Sequence, residues 1–367
     1  MKIKKSYLQS CWVFVLLLLW PQATSAQSIS ILIDEYIKGY HHKGLFHGAV
    51  LVSKGSDIIL RKGYGFANME WDIPFEPDTR MDIGSLTKTF TSLLVMQQVE
   101  RREIQLDAKI IDYLPEYRKD IGERVTIHHL LSNTSGIPDI MDYPDMRSKL
   151  IKHSYTLDYA IEHFCSQDLE FEPGSKFEYS SSGFLILGAI LKRVTGKSYD
   201  SLLEEFILKP AEMTNTGVDK NSLILKKRAS GYIPRDGYFI REPYMNINVA
   251  CSAGGMYSTV TDLYRFSQVL NTDKLLSKKY RDIMFRPNID CFGGRGKYAY
   301  GWVVLQIPLA ESGGMVQAIA HGGSFFGKET LFTRLVDDDY LIVLFCNTEI
   351  GQESLMKMMM DITNILY

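Results

Sequence analysis

The chain has 367 residues, of which 46% are hydrophobic and 23% charged, with a formal charge of −2. This composition is ordinary for a globular protein able to bury a core of real size. No basic stripe runs along it, which argues against a nucleic-acid partner.

The first 26 residues read as a secretory signal peptide rather than as part of the fold. Lys2, Lys4 and Lys5 form a positive start, Cys11 to Trp20 a short apolar run, and Thr24-Ser25-Ala26 a small-residue cleavage site before Gln27. The apolar run falls short of the ~20 residues that a spanning helix needs. Leu8-Gln9-Ser10-Cys11 loosely matches a lipid-anchor site, but it precedes the apolar run, which is the wrong order. Cleavage removes three lysines and no acid, leaving 38 basic against 43 acidic residues, a charge of −5. The expected product is secreted, to a bacterial periplasm, with no transmembrane segment. Cys165, Cys251, Cys291 and Cys346 remain, widely spaced and without a CxxC pair. They read as small buried thiols rather than a zinc site.

Residues 29–41 carry an amphipathic helix pattern. A hairpin follows: Ala49 to Val52, a turn at Lys54-Gly55-Ser56-Asp57, then Ile58-Ile59-Leu60. From about Ser85 the period becomes helical, and helices with polar loops dominate to about 290. Strand signals return at Trp302 to Leu305, Thr330 to Thr333 and Leu341 to Phe345, with Asp337-Asp338-Asp339 turning between the last two. Residues 353–366 read as a helix whose Met356, Met359 and Met360 are core filler. Strands at both ends and helices between them predict an α+β fold. In it one antiparallel sheet, flanked by helices, is built from both chain ends, and a mostly helical second lobe is inserted. The sheet lobe covers about 27–84 and 291–367, and the helical lobe about 85–290. A cleft between lobes is a favoured place for a small ligand.

Ser85-Leu86-Thr87-Lys88 is an S-x-x-K at the start of a predicted helix. Residues i and i+3 share a helix face, with Cβ atoms ~5–6 Å apart. A neutral Lys88 amine there can take the Ser85 proton, provided burial lowers its pKa. The helix start adds unpaired N–H groups near the attacking oxygen, and Gly84 admits a close backbone approach. Ser354-Leu355-Met356-Lys357 has the same spacing, but nothing around it suggests a site. It reads as a polar edge of the last helix.

The surroundings of Ser85 carry more. Arg80 to Phe90 (R-M-D-I-G-S-L-T-K-T-F) resembles the nucleophile region of the beta-lactamase-like serine hydrolases. That family includes class C beta-lactamases, D-alanyl-D-alanine carboxypeptidases, carboxylesterases and some acyltransferases. The resemblance continues in order through Leu106-Asp107, Tyr113 to Glu116, Thr126 to Asp139, Pro173 to Phe184, Ala253 to Thr259 with Asp262-Leu263, and His321-Gly322-Gly323. It spans roughly 45–348. It implies a beta-lactamase/transpeptidase-like fold, Ser85 as nucleophile, and Lys88 with Tyr179 as the proton-handling pair. It further implies an oxyanion hole from the backbone N–H groups of Ser85 and Ser324, and substrate contacts from Ser181, His321, Gly322 and Gly323. No cofactor or metal is implied. The partner is a small-molecule ester, amide or peptide substrate.

Two departures narrow the expectation. The third residue of the tyrosine motif is commonly Asn, and here it is the shorter Ser181. The last motif starts with His321 where beta-lactamases of this kind carry Lys, and a His supplies less dependable positive charge near neutral pH. Both fit an esterase or carboxypeptidase-like enzyme better than efficient beta-lactam hydrolysis. The alternatives are a beta-lactamase or D-alanyl-D-alanine carboxypeptidase, an acyltransferase to an alcohol, and an inactive module that binds cell-wall fragments. Tyr244-Met245-Asn246 fits a bare Y-x-N but lacks the flanking pattern, so it reads as cleft lining or packing. Gly196-Lys197-Ser198 lacks the earlier glycine of a P-loop, and adjacent His128 and His129 read as structural. Residues 139–155 and 232–250 are expected to shape the pocket.

Overall fold

The computed structural model describes residues 21–310 and 312–367, with the backbone alone for 21–26. Most of the expected leader therefore lies outside the described residues. The helix expected at 29–41 is longer, α1 over Pro21–His42. Among the described residues, no helix is long and apolar enough to cross a membrane.

The hairpin of the sequence is present as β1 (Gly48–Lys54) and β2 (Asp57–Tyr64). Helix α2 (Thr87–Glu100) follows, preceded by a single 3₁₀ turn over Gly84–Leu86. Helices α3 (Ser181–Thr195) and α4 (Val260–Leu270) pack around it. The chain then returns to the sheet with β3 (Ile289–Cys291), β4 (Gly296–Tyr298) and β5 (Val303–Pro308). Strands β6 (Met315–Phe325), β7 (Lys328–Leu335) and β8 (Tyr340–Cys346) follow, and α5 (Gln352–Leu366) closes the chain.

These eight strands form one antiparallel sheet in the order β3-β4-β5-β6-β7-β8-β1-β2. The two chain ends meet where β1 pairs with β8, Gly48 opposite Cys346 and Lys54 opposite Tyr340. Successive strand residues face opposite sides. Leu341, Val343 and Phe345 enter the core shared with α2–α4, while Ile342, Leu344 and Cys346 enter the core under α1 and α5. Both faces are covered, so these strands are continuous apolar runs in sequence rather than alternating ones.

Helix α2 runs through the larger core and is buried from Thr87 to Gln98, which explains its lack of a polar face. Phe90 stacks on Phe266 of α4 at 4.3 Å between ring centres. Helix α5 buries Leu355, Met358, Met359, Ile362 and Leu366 at helical spacing, with Met356 and Met360 beside them. The second S-x-x-K sits there without a site: Ser354 donates to the Ile350 carbonyl and Lys357 pairs with Asp361. Gly196, at φ +67°, terminates α3. The four described thiols are free, three of them buried and Cys251 half-buried. The short hairpin Tyr232–Arg235 with Tyr238–Arg241 was not foreseen.

Candidate active site

Ser85 is held on the 3₁₀ turn that leads into α2, between the edge of the helical core and the end of β6. Gly84 has φ +53°, and a Cβ there would lie 2.7 Å from the Ser324 nitrogen. Only glycine allows both that backbone and that approach. Gly323 is pressed just as closely on the other side, where a Cβ would lie 1.9 Å from the Ile83 carbonyl oxygen. The Ser85 turn and the end of β6 are thus in backbone contact.

Lys88 lies one short step along α2 and is fully buried. Its Nζ is 3.2 Å from Ser85 Oγ, 3.3 Å from Ser181 Oγ and 2.9 Å from the Ala253 carbonyl oxygen. Burial lowers its pKa to about 8, against the pull of the Asp139 carboxylate. The Nζ also stands 4.8 Å from the centre of the Tyr179 ring, over its face. Tyr179 itself is half-buried. Burial holds its phenol well above the ordinary tyrosine range, with a hydrogen bond to Ser85 acting in the opposite direction. The phenol is therefore protonated at neutral pH.

Ser181 opens α3. Its N–H donates to Asp139 Oδ2 at 3.0 Å, while Met141 N–H donates to Asp139 Oδ1. The Ser182 hydroxyl donates to the Pro138 carbonyl at 2.7 Å, fixing the start of α3 to the segment that carries Asp139. These contacts place Ser181 beside Lys88.

A cleft of about 360 Å³ opens here. Ser85, Tyr179, Ser181 and Ser324 line it, with Asp139, Ile140, Met141, Arg147, Ile151 and Leu185. Met245, Val249, Ala250, Phe325, Phe326 and Glu349 complete much of the wall. Lys88 sits behind Ser85 rather than on the surface of the cleft. The two expected pocket-shaping segments, 139–155 and 232–250, both contribute.

His321, Gly322 and Gly323 do not line this cleft. His321 is buried behind it on β6, with Nδ1 2.6 Å from the Gly322 carbonyl and Nε2 3.4 Å from the Tyr298 hydroxyl. Burial, and then the neighbouring Lys88, push its imidazole down to about 4, so it is neutral at pH 7. On β6 His321 shares the face of Ile319, which enters the helical core, and of Phe325, and its ring packs against Tyr179 and Tyr298, while Ser324 has the opposite parity and meets the Ser85 turn through its backbone nitrogen beside Gly84. Of the rival Y-x-N string, Met245 lines the cleft, Tyr244 is exposed, and Asn246 caps a short turn. His128 bonds Tyr300, and His129 closes a capping box with Thr126.

Asp139, Arg147, Phe325, Phe326 and Glu349 were not singled out from the sequence. Asp139 ends the Thr126 to Asp139 block, so its position carried a signal. Phe325 ends β6, and the others come from loops whose approach only the fold reveals.

An α+β scaffold with a buried lysine held against a helix-start serine defines a serine hydrolase. A family model described as Beta-lactamase matches residues 32–359, and the chain belongs to that family. It is 28% identical over 321 residues to penicillin-binding protein 4* of Bacillus subtilis strain 168, covering 84% of this chain and 69% of that one. Other relatives are spanned over only 65% and 47% of their length. Among solved structures, the penicillin binding protein from Bacillus halodurans matches with TM-score 0.75 and 27% identity, over 89% of this chain and 97% of that one. EstCE1, described as a hydrolase with promiscuous acyltransferase activity, has TM-score 0.80 at 19% identity, over 93% and 100%, a likeness of fold.

Proposed function

We propose that the protein hydrolyses an ester or amide through an acyl-enzyme on Ser85, with esters as the preferred substrates. The observation that carries this reading is the environment of the Lys88 amine. A neutral amine has two N–H groups and one lone pair. The Ala253 carbonyl and Ser181 Oγ take the two N–H groups, which leaves the lone pair facing Ser85 Oγ at 3.2 Å. With its pKa lowered to about 8, a useful fraction of Lys88 is neutral near pH 7.

The steps follow from that arrangement. Ser85 Oγ attacks the carbonyl carbon and its proton passes to Lys88. The oxyanion accepts N–H groups from Ser85 and Ser324, a contribution of about 3–4 kcal/mol for one donor in a well-formed hole. The protonated Tyr179 phenol, or Lys88 itself, gives a proton to the leaving group, and Lys88 can restore the phenol. Water then attacks the acyl-serine, and the same groups return the proton to Ser85.

The cleft wall of Ile140, Met141, Ile151, Leu185, Val249 and Phe325 suits an apolar acyl chain. His321 is neutral and behind the cleft, so it offers no fixed charge to a substrate carboxylate. Arg147 at the rim is the one observation that favours a second reading, a carboxypeptidase acting on peptides with a free carboxylate. Export to the periplasm, which the leader pattern of residues 1–26 supports, would bring either substrate within reach.

Intact-mass analysis after incubation with an activated ester tests the reading. The expected result is one acyl adduct on wild type and on Ser354→Ala, and none on Ser85→Ala. Full labelling of Ser85→Ala, or no adduct on wild type, would refute it.

A further inference from the structure

A second set of buried charges lies outside the proton chemistry described above. Lys328, at the start of β7, is 2.7 Å from Asp82 Oδ2 and 2.7 Å from Glu242 Oε2. Lys328 and Asp82 are 5% and 8% exposed at the side chain. Glu242 Oε1 accepts the Gly231 N–H at 2.9 Å. Arg228 closes the group, bidentate on Asp219 at 2.5 Å and 3.8 Å from Asp82 Oδ1. These residues floor a second cavity of about 320 Å³, which shares Met245, Phe325 and Phe326 with the cleft.

Burying such a group costs free energy, and apolar residues of the same volume often stabilise a fold as well or better. Its location offers a reason for it. Asp82 stands three residues before Ser85, and Lys328 four residues after Ser324. The two N–H groups of the proposed oxyanion hole thus come from segments far apart in sequence, and the ion pair ties one segment to the other. Further ties between them include a hydrogen bond from Thr330 Oγ1 to the Ile83 carbonyl at 3.1 Å and the glycine packing already described. The turn between β6 and β7 is held from outside as well, with Gly327 N–H on Glu349 and Tyr232 N–H on the Gly327 carbonyl.

We infer that the Asp82–Lys328–Glu242 cluster is a positioning device that sets the spacing of the Ser85 and Ser324 N–H groups, and so governs turnover rather than substrate binding. The inference rests on the reading of Ser85 and Ser324 given above. Oxyanion donors act at about 2.7–3.1 Å, and a site tolerates only about 0.5 Å of slip. Loss of the tie lets the end of β6 drift from the Ser85 turn, which weakens the transition state more than the ground state.

The test compares Lys328→Arg with the uncharged triple variant Asp82→Asn, Lys328→Met, Glu242→Gln, which leaves no buried ion unpaired. Turnover and KM are read with a short-chain p-nitrophenyl ester, and folding by thermal melting. The triple variant is expected to stay folded and to lose about 10–100-fold in kcat, with KM changed less than about threefold. Lys328→Arg, which keeps the charge, should retain kcat within about threefold. A triple variant that unfolds, or that turns over within about twofold of wild type, assigns the cluster to stability alone and overturns the inference. So does a Lys328→Arg variant as impaired as the triple one. Labelling that survives Ser85→Ala overturns the functional reading and the clamp together. Ser85-dependent labelling with a fully active triple variant overturns the clamp alone.

Discussion

At the scale of single residues, the proposed reaction makes Lys88 the group that sets the pH behaviour. Burial lowers its pKa to about 8, and the proposed base is the deprotonated amine. Activity must therefore rise with pH as Lys88 loses its proton. We predict that kcat/KM falls about tenfold per unit below that midpoint and levels off above it. The profile is measured with an uncharged ester, so that only the enzyme titrates. A profile flat from pH 6 to 9 would remove Lys88 as the base. His321 would not mimic the effect, because burial pushes its imidazole down to about 4. Ser85 and Lys88 were legible in the sequence because their relation is local, three residues apart on one helical turn. Tyr179 was legible only through its flanking Pro173-Gly174 and Gly183-Phe184 pattern. Asp139 stood at the end of the Thr126 to Asp139 block, but its contact with Ser181 was not legible, because it spans 42 residues of chain.

At the scale of elements, the site depends on two backbone segments pressed together. Gly84 is one of the two tight points: its φ is +53°, and an added Cβ would lie 2.7 Å from the Ser324 nitrogen. Gly84→Ala must either change that φ or push β6 away. We predict a loss of activity of at least about 100-fold, with the melting temperature reduced by only a few degrees. Near-normal turnover by this variant would show that the contact has room to spare. The strands on either side of β6 were visible in sequence as apolar runs, whereas β6 itself carried no such run and was reached only through its His321-Gly322-Gly323 motif. The runs did not reveal which residue of β6 faces the cleft. Alternation puts His321 on the helix-facing side of the strand with Ile319 and Phe325 and gives Ser324 the opposite parity, so what Ser324 brings to the Ser85 turn is its backbone nitrogen. The charged tie from Asp82 to Lys328 was invisible for a different reason: its partners are 246 residues apart and match no local pattern.

At the scale of the whole molecule, the cleft lies between the sheet and the helices, with a mainly apolar wall and charged groups at Asp139, Arg147 and Glu349. Its substrate preference should follow that wall. Across a short-chain p-nitrophenyl ester, nitrocefin and a D-Ala-D-Ala peptide, the ester is predicted to give the highest kcat/KM. A nitrocefin rate well above the ester rate would reverse the preference and make beta-lactam hydrolysis the main activity. Peptide turnover that vanishes in Arg147→Ala, with the ester rate unchanged, would support the carboxypeptidase reading instead.

The pairing of β1 with β8 has a consequence for how the molecule is made. The hairpin β1–β2 emerges early in synthesis, yet the edge of β1 stays open until residues 340–346 follow. Non-local pairing of this kind is slow to form and leaves an adhesive strand edge in the meantime. Ser85 is also made early, while Ser324 arrives with the last strands. An incomplete chain therefore holds the proposed nucleophile without the second of the proposed oxyanion donors. On that reading the chemistry comes on only when the two ends of the chain have found each other.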